Sequence, residues 1–239
     1  MDKTMTVSFV ISAYNEEATL GQVLDMVREA VLPVGITREI IAIDNGSHDG
    51  TADIIKSYSD VRMISLSPNR GKGGALKVGF AEARGDIVMI QDADMEYNAA
   101  DYPALLEPIL SGRTEMVVGR RPLSVVPFSE GVRNVQHVLP YIGNKIVMKY
   151  FINWLYGDSA SDYACAYKVF TKKLVDSITV KANGFDYEFE LVCRAMRKRV
   201  PLVEVPVRYY PRTYEEGKKI RTMDGLKILR TALRSRFFN

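Results

Sequence analysis

Five short stretches of the chain are almost uninterrupted in apolar residues: TVSFVIS (6–12), EIIAID (39–44), VRMISL (61–66), DIVMIQ (86–91) and EMVVG (115–119). Runs of that length, rich in Val and Ile, predict strands buried on both faces, the pattern of a parallel sheet. The intervening segments change period. NEEATLGQVLDMVREAV puts Leu20, Val23, Leu24 and Val27 on one helical face, and DGTADIIKSYS and GGALKVGFAEARG supply helical stretches after the next two strands. Strand and helix alternate as far as residue 119, which predicts an α/β fold with a doubly wound, mostly parallel sheet and right-handed crossovers.

Composition supports one domain over 1–239: 47% of residues are hydrophobic and 26% charged, enough to bury a full core. Charge is unevenly placed. Residues 194–239 hold 13 Lys and Arg against 4 Asp and Glu, while the rest holds 19 against 25. A basic last fifth points to an anionic partner such as a phosphate, nucleic acid or an acidic membrane face, or to a solvated basic helix. Cys165 and Cys193 form no CxxC, and His48 and His137 are the only histidines, which rules out the usual zinc sites and favours a reducing cytoplasm. No signal peptide is expected from MDKTMTVSFVISAYNEE. The most apolar region, NKIVMKYFINWLYG, is interrupted by Lys145 and Lys149 and falls short of the ~20 residues of a membrane span, so any membrane contact is expected to be peripheral, on the inner face.

Polar, Gly-rich sequence follows each of the first four predicted strands: SAYNEE (12–17), DNGSHDGT (44–51), SPNRGKGGA (67–75) and QDADME (91–96). Any one of these is ordinary turn chemistry. Four on one sheet edge mark the crevice beyond the strand ends where such folds bind ligands. NRGKGGA lacks the spacing of a nucleotide-binding P-loop, yet a Gly-rich turn entering a helix can offer backbone N–H groups to a phosphate, with Lys72 adding charge. Asp92 and Asp94 form D-x-D at a strand end, where alternation would aim both side chains the same way if the strand continued. Two hard carboxylates held together call for a cation, and Mg²⁺ or Mn²⁺ with a diphosphate is the usual guest.

This set resembles the inverting glycosyltransferases of the GT-A fold, a Rossmann-like class, and within family two especially the dolichyl-phosphate mannose synthases and polyprenyl-phosphate glycosyltransferases. The resemblance extends over essentially the whole chain. It implies that Ser12, Tyr14, Glu16 and Asp44 line the base and ribose pocket, with Lys72 and Asp92 also on the nucleotide, and with Asn45 standing where many members carry a second Asp. It implies a metal on Asp92, Asp94 and Glu96, the last at a position often Gln in the mannosyl-lipid enzymes. VVG-x-R (117–121) makes Arg121, and after it Arg133, the pair that grips an acceptor phosphate. DYACAYKVF keeps Asp162 of the family's D-x-T-S-G-F-R but not its Thr, Gly and Arg. The stretch 184–220 is similar to the family's acidic helix, E-V-P-V strand and basic loop, so that Arg212, Lys218 and Lys219 reach the diphosphate or the acceptor phosphate.

The chemistry follows from charge. Leaving-group departure builds negative charge on a diphosphate, to be neutralised by the metal at Asp94 and Asp92 with Arg212 or Lys218. Asp162 or Glu188 is the candidate general base for a hydroxyl acceptor, whereas a lipid phosphate arrives ionised and needs none.

The expected organisation is a nucleotide-binding half (1–120), an acceptor-binding half (121–222) and a C-terminal amphipathic basic helix (223–239). Leu226, Leu229, Leu233 and Phe237 form an apolar stripe there, flanked by Lys227, Arg230 and Arg234, and Ile146, Val147, Tyr150, Phe151, Trp154 and Leu155 form another upstream. Such stripes face either an anionic membrane or the protein core.

The expected function is metal-dependent transfer of a hexose from a nucleoside-diphosphate sugar, GDP-mannose or UDP-glucose in type, to a polyprenyl or dolichyl phosphate at the cytoplasmic membrane face, as in cell-envelope glycan synthesis. Alternatives are transfer to a glycan or protein hydroxyl, or a catalytically silent sugar-nucleotide-binding protein. A sugar-1-phosphate nucleotidyltransferase would carry Arg and Lys in the first loop, where SAYNEEATL has neither. Nucleic acid is not an expected partner, since no stacking-rich basic surface is evident.

Overall fold

A computed structural model describes residues 4–122, 149–212 and 222–238. Each of the five predicted strands is present, as β1 (Met5–Ala13), β2 (Ile36–Asp44), β3 (Arg62–Ser65), β4 (Ile87–Asp92) and β5 (Met116–Arg120). Two more follow, β6 (Lys168–Thr171) and β7 (Leu202–Pro206), and all seven join one sheet in the order β3-β2-β1-β4-β6-β5-β7. The described helices are α1 (Leu20–Glu29), α2 (Thr51–Lys56), α3 (Gly71–Glu82), α4 (Tyr102–Leu110), α5 (149–156), α6 (Lys172–Asp176), α7 (Tyr187–Arg197) and α8 (Thr222–Phe237).

Strands β1 to β5 and β7 pair in parallel wherever they adjoin, and β6 runs antiparallel to both β4 and β5. The apolar runs explain the placement: Phe9, Val10 and Ile11 of β1 and Ile87 to Ile90 of β4 are fully inaccessible, covered on both faces by helices. α1 turns Leu20, Val23, Leu24 and Val27 inward, the face read from its sequence. Because β6 is wedged between β4 and β5, the second half of the chain is built into the same sheet as the first, and the molecule is a single α/β domain.

Candidate active site

Register brings the site together. Ser12 lies opposite Ile43 on one side and Asp92 on the other, and Ala13 opposite Asp44, so the polar segments after β1, β2 and β4 leave the sheet side by side. The first two loops are stitched to one another. Asn15 N donates to Ser47 Oγ at 3.1 Å and His48 N to Asn15 Oδ1 at 2.9 Å. Glu16 N donates to Thr51 Oγ1 at 2.9 Å, Glu17 N to Asp49 at 3.2 Å, and Gly50 N to Glu17 Oε2 at 2.7 Å. Asp44 accepts from Ser47 N at 3.0 Å, and the Tyr14 and His48 rings meet edge-on, 6.5 Å apart. Asn45 uses both ends of its amide, donating to Asn69 Oδ1 at 3.2 Å and accepting from Arg70 N at 2.9 Å. An Asp there would forfeit the donation and set a charge against the Asn69 carbonyl oxygen, which accounts for Asn at this position.

The glycines of NRGKGGA answer first to packing. A Cβ on Gly73 would lie 2.4 Å from Tyr187 Cβ and 2.8 Å from the Asn183 carbonyl carbon, and Gly74 N already donates to Asn183 O at 3.1 Å. These glycines let the start of α3 press against residues 183–187. The consequence is the position of Lys72. Gly73→Ala should therefore cost about 1–3 kcal/mol of stability through overpacking. Gly21→Ala, whose added carbon comes no closer than 3.7 Å to Tyr58 Oη, should be neutral or slightly stabilising, and a pair of thermal melts checks both.

β4 ends at Asp92, and 93–96 bend, so strand alternation stops before Asp94. Each D-x-D carboxylate therefore meets its own cation. Lys72 Nζ is 2.7 Å from Asp92 Oδ1, and Arg212 Nη2 is 2.6 Å from Asp94 Oδ2. Arg212 also reaches Glu16 Oε2 at 3.3 Å. The segment after β7 delivers it: Tyr97 and Tyr209 form an antiparallel bridge, Tyr210 N donates to Glu96 O at 2.8 Å, and Arg212 N donates to Glu96 Oε1 at 2.8 Å. Tyr209 Oη takes the other Glu96 oxygen at 3.2 Å. Glu96 thus corrects its expected role as third metal ligand, since its carboxylate holds this returning segment.

Among the described residues, no group of three Asp, Glu, His or Cys side chains is gathered to hold a metal ion. Asp92 and Asp94 nonetheless fit one. Mg²⁺ usually takes one or two protein carboxylates and fills its shell with substrate phosphate and water. Among the described residues charge agrees: Glu16, Asp92, Asp94, Glu96 and Glu188 stand against Lys72, Lys168 and Arg212, five carboxylates to three cations, an excess of negative charge that one divalent ion would cancel. Burial, opposed by Lys72 and reinforced by Asp94 and Glu188, pushes Asp92 up to about 6. Burial and Glu96 likewise raise Asp94. The Arg212 Nε–H is buried and has no partner among the described residues, a donor left for an incoming anion.

Both candidate bases are committed elsewhere. Glu188 lies between two ammonium groups, Lys72 at 2.7 Å and Lys168 at 3.0 Å, which hold its carboxyl below the usual range despite burial. Asp162 receives Arg121 bidentately, from Nε at 2.7 Å and Nη2 at 2.8 Å, with Arg121 N at 3.2 Å. Glu204 braces that turn from the Ser161 and Asp162 amides. Arg121 is only 8% exposed and stacks over the Tyr209 ring, so the expected grip on an acceptor phosphate does not fit: its guanidinium is spent inside the protein. Arg133, Lys218 and Lys219 lie outside the described residues. Sequence reasoning missed Lys168, whose signal was a lone charge within the apolar run CAYKVF.

The two helical stripes divide. In α8 the buried face is Gly225, Ile228, Ala232 and Ser235, while Leu226, Leu233 and Phe237 of the expected stripe are exposed and Leu229 is half-buried. In α5, Ile152 and Leu155 face inward and Tyr150 and Trp154 outward; Ile146 and Val147 lie outside the described residues. Among the described residues no helix is long and apolar enough to cross a membrane.

Comparison with known proteins adds relatives to this geometry. Residues 8–179 match the family model described as Glycosyl transferase family 2. The low-salt glycan biosynthesis hexosyltransferase of Haloferax volcanii is 28% identical over 221 residues, covering 90% of this chain and 50% of that protein. The undecaprenyl-phosphate 4-deoxy-4-formamido-L-arabinose transferase of Aeromonas hydrophila is 30% identical over 217 residues, covering 89% and 62%. Human dolichyl-phosphate beta-glucosyltransferase is 27% identical over 236 residues, covering 91% and 70%. The chain therefore spans half to about two-thirds of the length of these relatives. Among solved structures, glucosyl-3-phosphoglycerate synthase of Mycobacterium tuberculosis superposes with a TM-score of 0.75 at 22% identity, over 98% of this chain and 82% of that one. The same enzyme with Mn²⁺, UDP and glucosyl-3-phosphoglycerate gives 0.70 at 22% identity, over 98% and 81%. At that identity the likeness is one of fold.

Proposed function

The chain belongs to glycosyl transferase family 2, and from that premise we propose that it is a metal-dependent inverting hexosyltransferase acting from a nucleoside-diphosphate sugar, of UDP-glucose or GDP-mannose type, onto a polyprenyl phosphate at the cytoplasmic face of a membrane. The observation that carries the acceptor is the fate of the two carboxylates expected to act as base. Glu188 and Asp162 are buried and salt-paired, poor places from which to take a proton. An acceptor that arrives already ionised suits such a site, and a phosphate monoester does so at neutral pH. Relatives named for dolichyl-phosphate and undecaprenyl-phosphate transfer support the same class.

On this reading Ser12, Tyr14, Glu16 and Asp44 shape the base and ribose pocket. Asp92 and Asp94 would hold a divalent ion, Mg²⁺ or Mn²⁺, which when bound supplies Lewis-acid stabilisation of the diphosphate. Arg212 and Lys72 meet the charge that grows on the leaving diphosphate, Arg212 through the Nε–H that no described residue accepts and Lys72 from the start of α3. The exposed Leu226, Leu233 and Phe237, interleaved with Lys227, Arg230 and Arg234, and the outward Tyr150 and Trp154 supply apolar and basic contacts of the kind that rest on an anionic bilayer.

The test is radiolabelled hexose transfer from UDP-glucose and GDP-mannose, with Mn²⁺, Mg²⁺ or EDTA, to polyprenyl phosphate and to the matching polyprenol in anionic vesicles. Metal-dependent product on the phosphate and none on the alcohol is expected. Equal transfer to the alcohol, or undiminished transfer in EDTA, overturns the acceptor or the metal assignment respectively.

A further inference from the structure

Lys168 sits in the middle of the sheet, its ammonium wholly inaccessible and bonded to Cys165 O and Glu188 Oε2, the latter at 3.0 Å. The other Glu188 oxygen lies 2.7 Å from Lys72, which in turn lies 2.7 Å from Asp92. The four side chains come from β6, α7, α3 and β4, and their charges alternate from the core out to the D-x-D motif. A buried ammonium is costly, and apolar groups commonly replace a whole buried ion pair at no loss of stability, whereas removing one partner alone strands the other charge. What Lys168 adds is a second claim on Glu188.

We propose that Lys168 is a positioning residue for donor binding: by sharing Glu188 it keeps that carboxylate from monopolising Lys72, whose charge then remains available to the donor diphosphate beside Asp92. The inference rests on the donor reading above. Without Lys168, Glu188 pairs with Lys72 alone, withdrawing that charge from a diphosphate and adding one uncompensated negative charge near Asp92. The two consequences have opposite signs. Diphosphate affinity falls, while affinity for the bare metal holds or rises.

The experiment is isothermal titration of Mn²⁺ alone, then of UDP and of GDP in saturating Mn²⁺, on the wild type, Lys168→Met, Lys168→Arg and the double variant Lys168→Met/Glu188→Gln, with a melt of each. Lys168→Met should weaken the nucleotide about tenfold, within the usual range of coupling between sites, and leave Mn²⁺ binding equal or tighter. Lys168→Arg keeps the charge and should keep the affinity. The double variant removes both the ammonium and the carboxylate it balances, and should recover most of the nucleotide affinity. Parallel loss of metal and nucleotide in Lys168→Met, no loss of either, or no recovery in the double variant overturns the proposal. If Lys168→Met does not fold, Lys168→Gln, which also removes the charge and keeps Glu188, takes its place in the same comparison. A wild type that binds neither nucleotide with metal strikes the donor reading instead.

Discussion

Asp94→Asn should lower kcat/KM for hexose transfer about a hundredfold to a thousandfold, the scale on which loss of one group serving developing charge is felt. The substitution keeps the shape of the side chain and removes its charge. Two things then fail together. A hard cation loses one of the two carboxylates available to it, and Arg212 loses its 2.6 Å partner and is left to Glu16 at 3.3 Å. Initial rates over a range of Mn²⁺ concentrations separate the two losses: rates restored by excess metal place the defect in affinity, and a depressed plateau places it in the arrangement of Arg212. A variant with unchanged kcat/KM at limiting metal would remove Asp94 from the site. Asp94→Asn should still melt close to wild type, because its burial is relieved rather than stressed by loss of charge.

Arg121→Met should have the opposite signature. It takes the bidentate guanidinium from Asp162, which is almost inaccessible, and breaking a buried pair from one side costs about 3–5 kcal/mol. For a chain of this size that lowers Tm by roughly 10 °C. Adding Asp162→Asn should return part of the loss, since the amide oxygen can still accept from Ala164 N, which now donates to Asp162 Oδ1 at 3.2 Å. Were Arg121 instead a grip on the acceptor phosphate, the variant would melt normally and lose only acceptor affinity. Differential scanning calorimetry beside an acceptor titration tells these apart.

The sequence revealed most where the chain's own periodicity carried the information. The five apolar runs became β1 to β5, and for all but the half-buried edge strand β3 the reason is that a strand covered on both faces must be apolar throughout. β6 escaped: it is four residues long, begins with a lysine and runs antiparallel, so neither length nor pattern marked it. At the site, D-x-D was found by type and position, but its geometry was misjudged because β4 stops at Asp92. The glycines before α3 were read as ligand chemistry because the loop that crowds them, 183–187, lies more than a hundred residues away. Ion pairs are the least legible of all. Arg212 meets carboxylates 118 and 196 residues distant, and nothing local to any of the three indicates the meeting. Residue type named the candidates Asp162, Arg121 and Glu188; only the fold shows that their charges are already spent on one another or on Lys72 and Lys168.

The stitching between the loops after β1 and β2 bears on how such a pocket can be altered. Asn15, Glu16 and Glu17 each spend hydrogen bonds on partners between Ser47 and Thr51, so the two walls form one interlocked block. A swap of either loop alone from a relative with another base preference would leave half of these donors and acceptors facing strangers. If, as proposed, these loops hold the donor, reprogramming it by grafting requires 12–17 and 44–51 to be exchanged as a single cassette, and drift in one loop is constrained to be answered in the other.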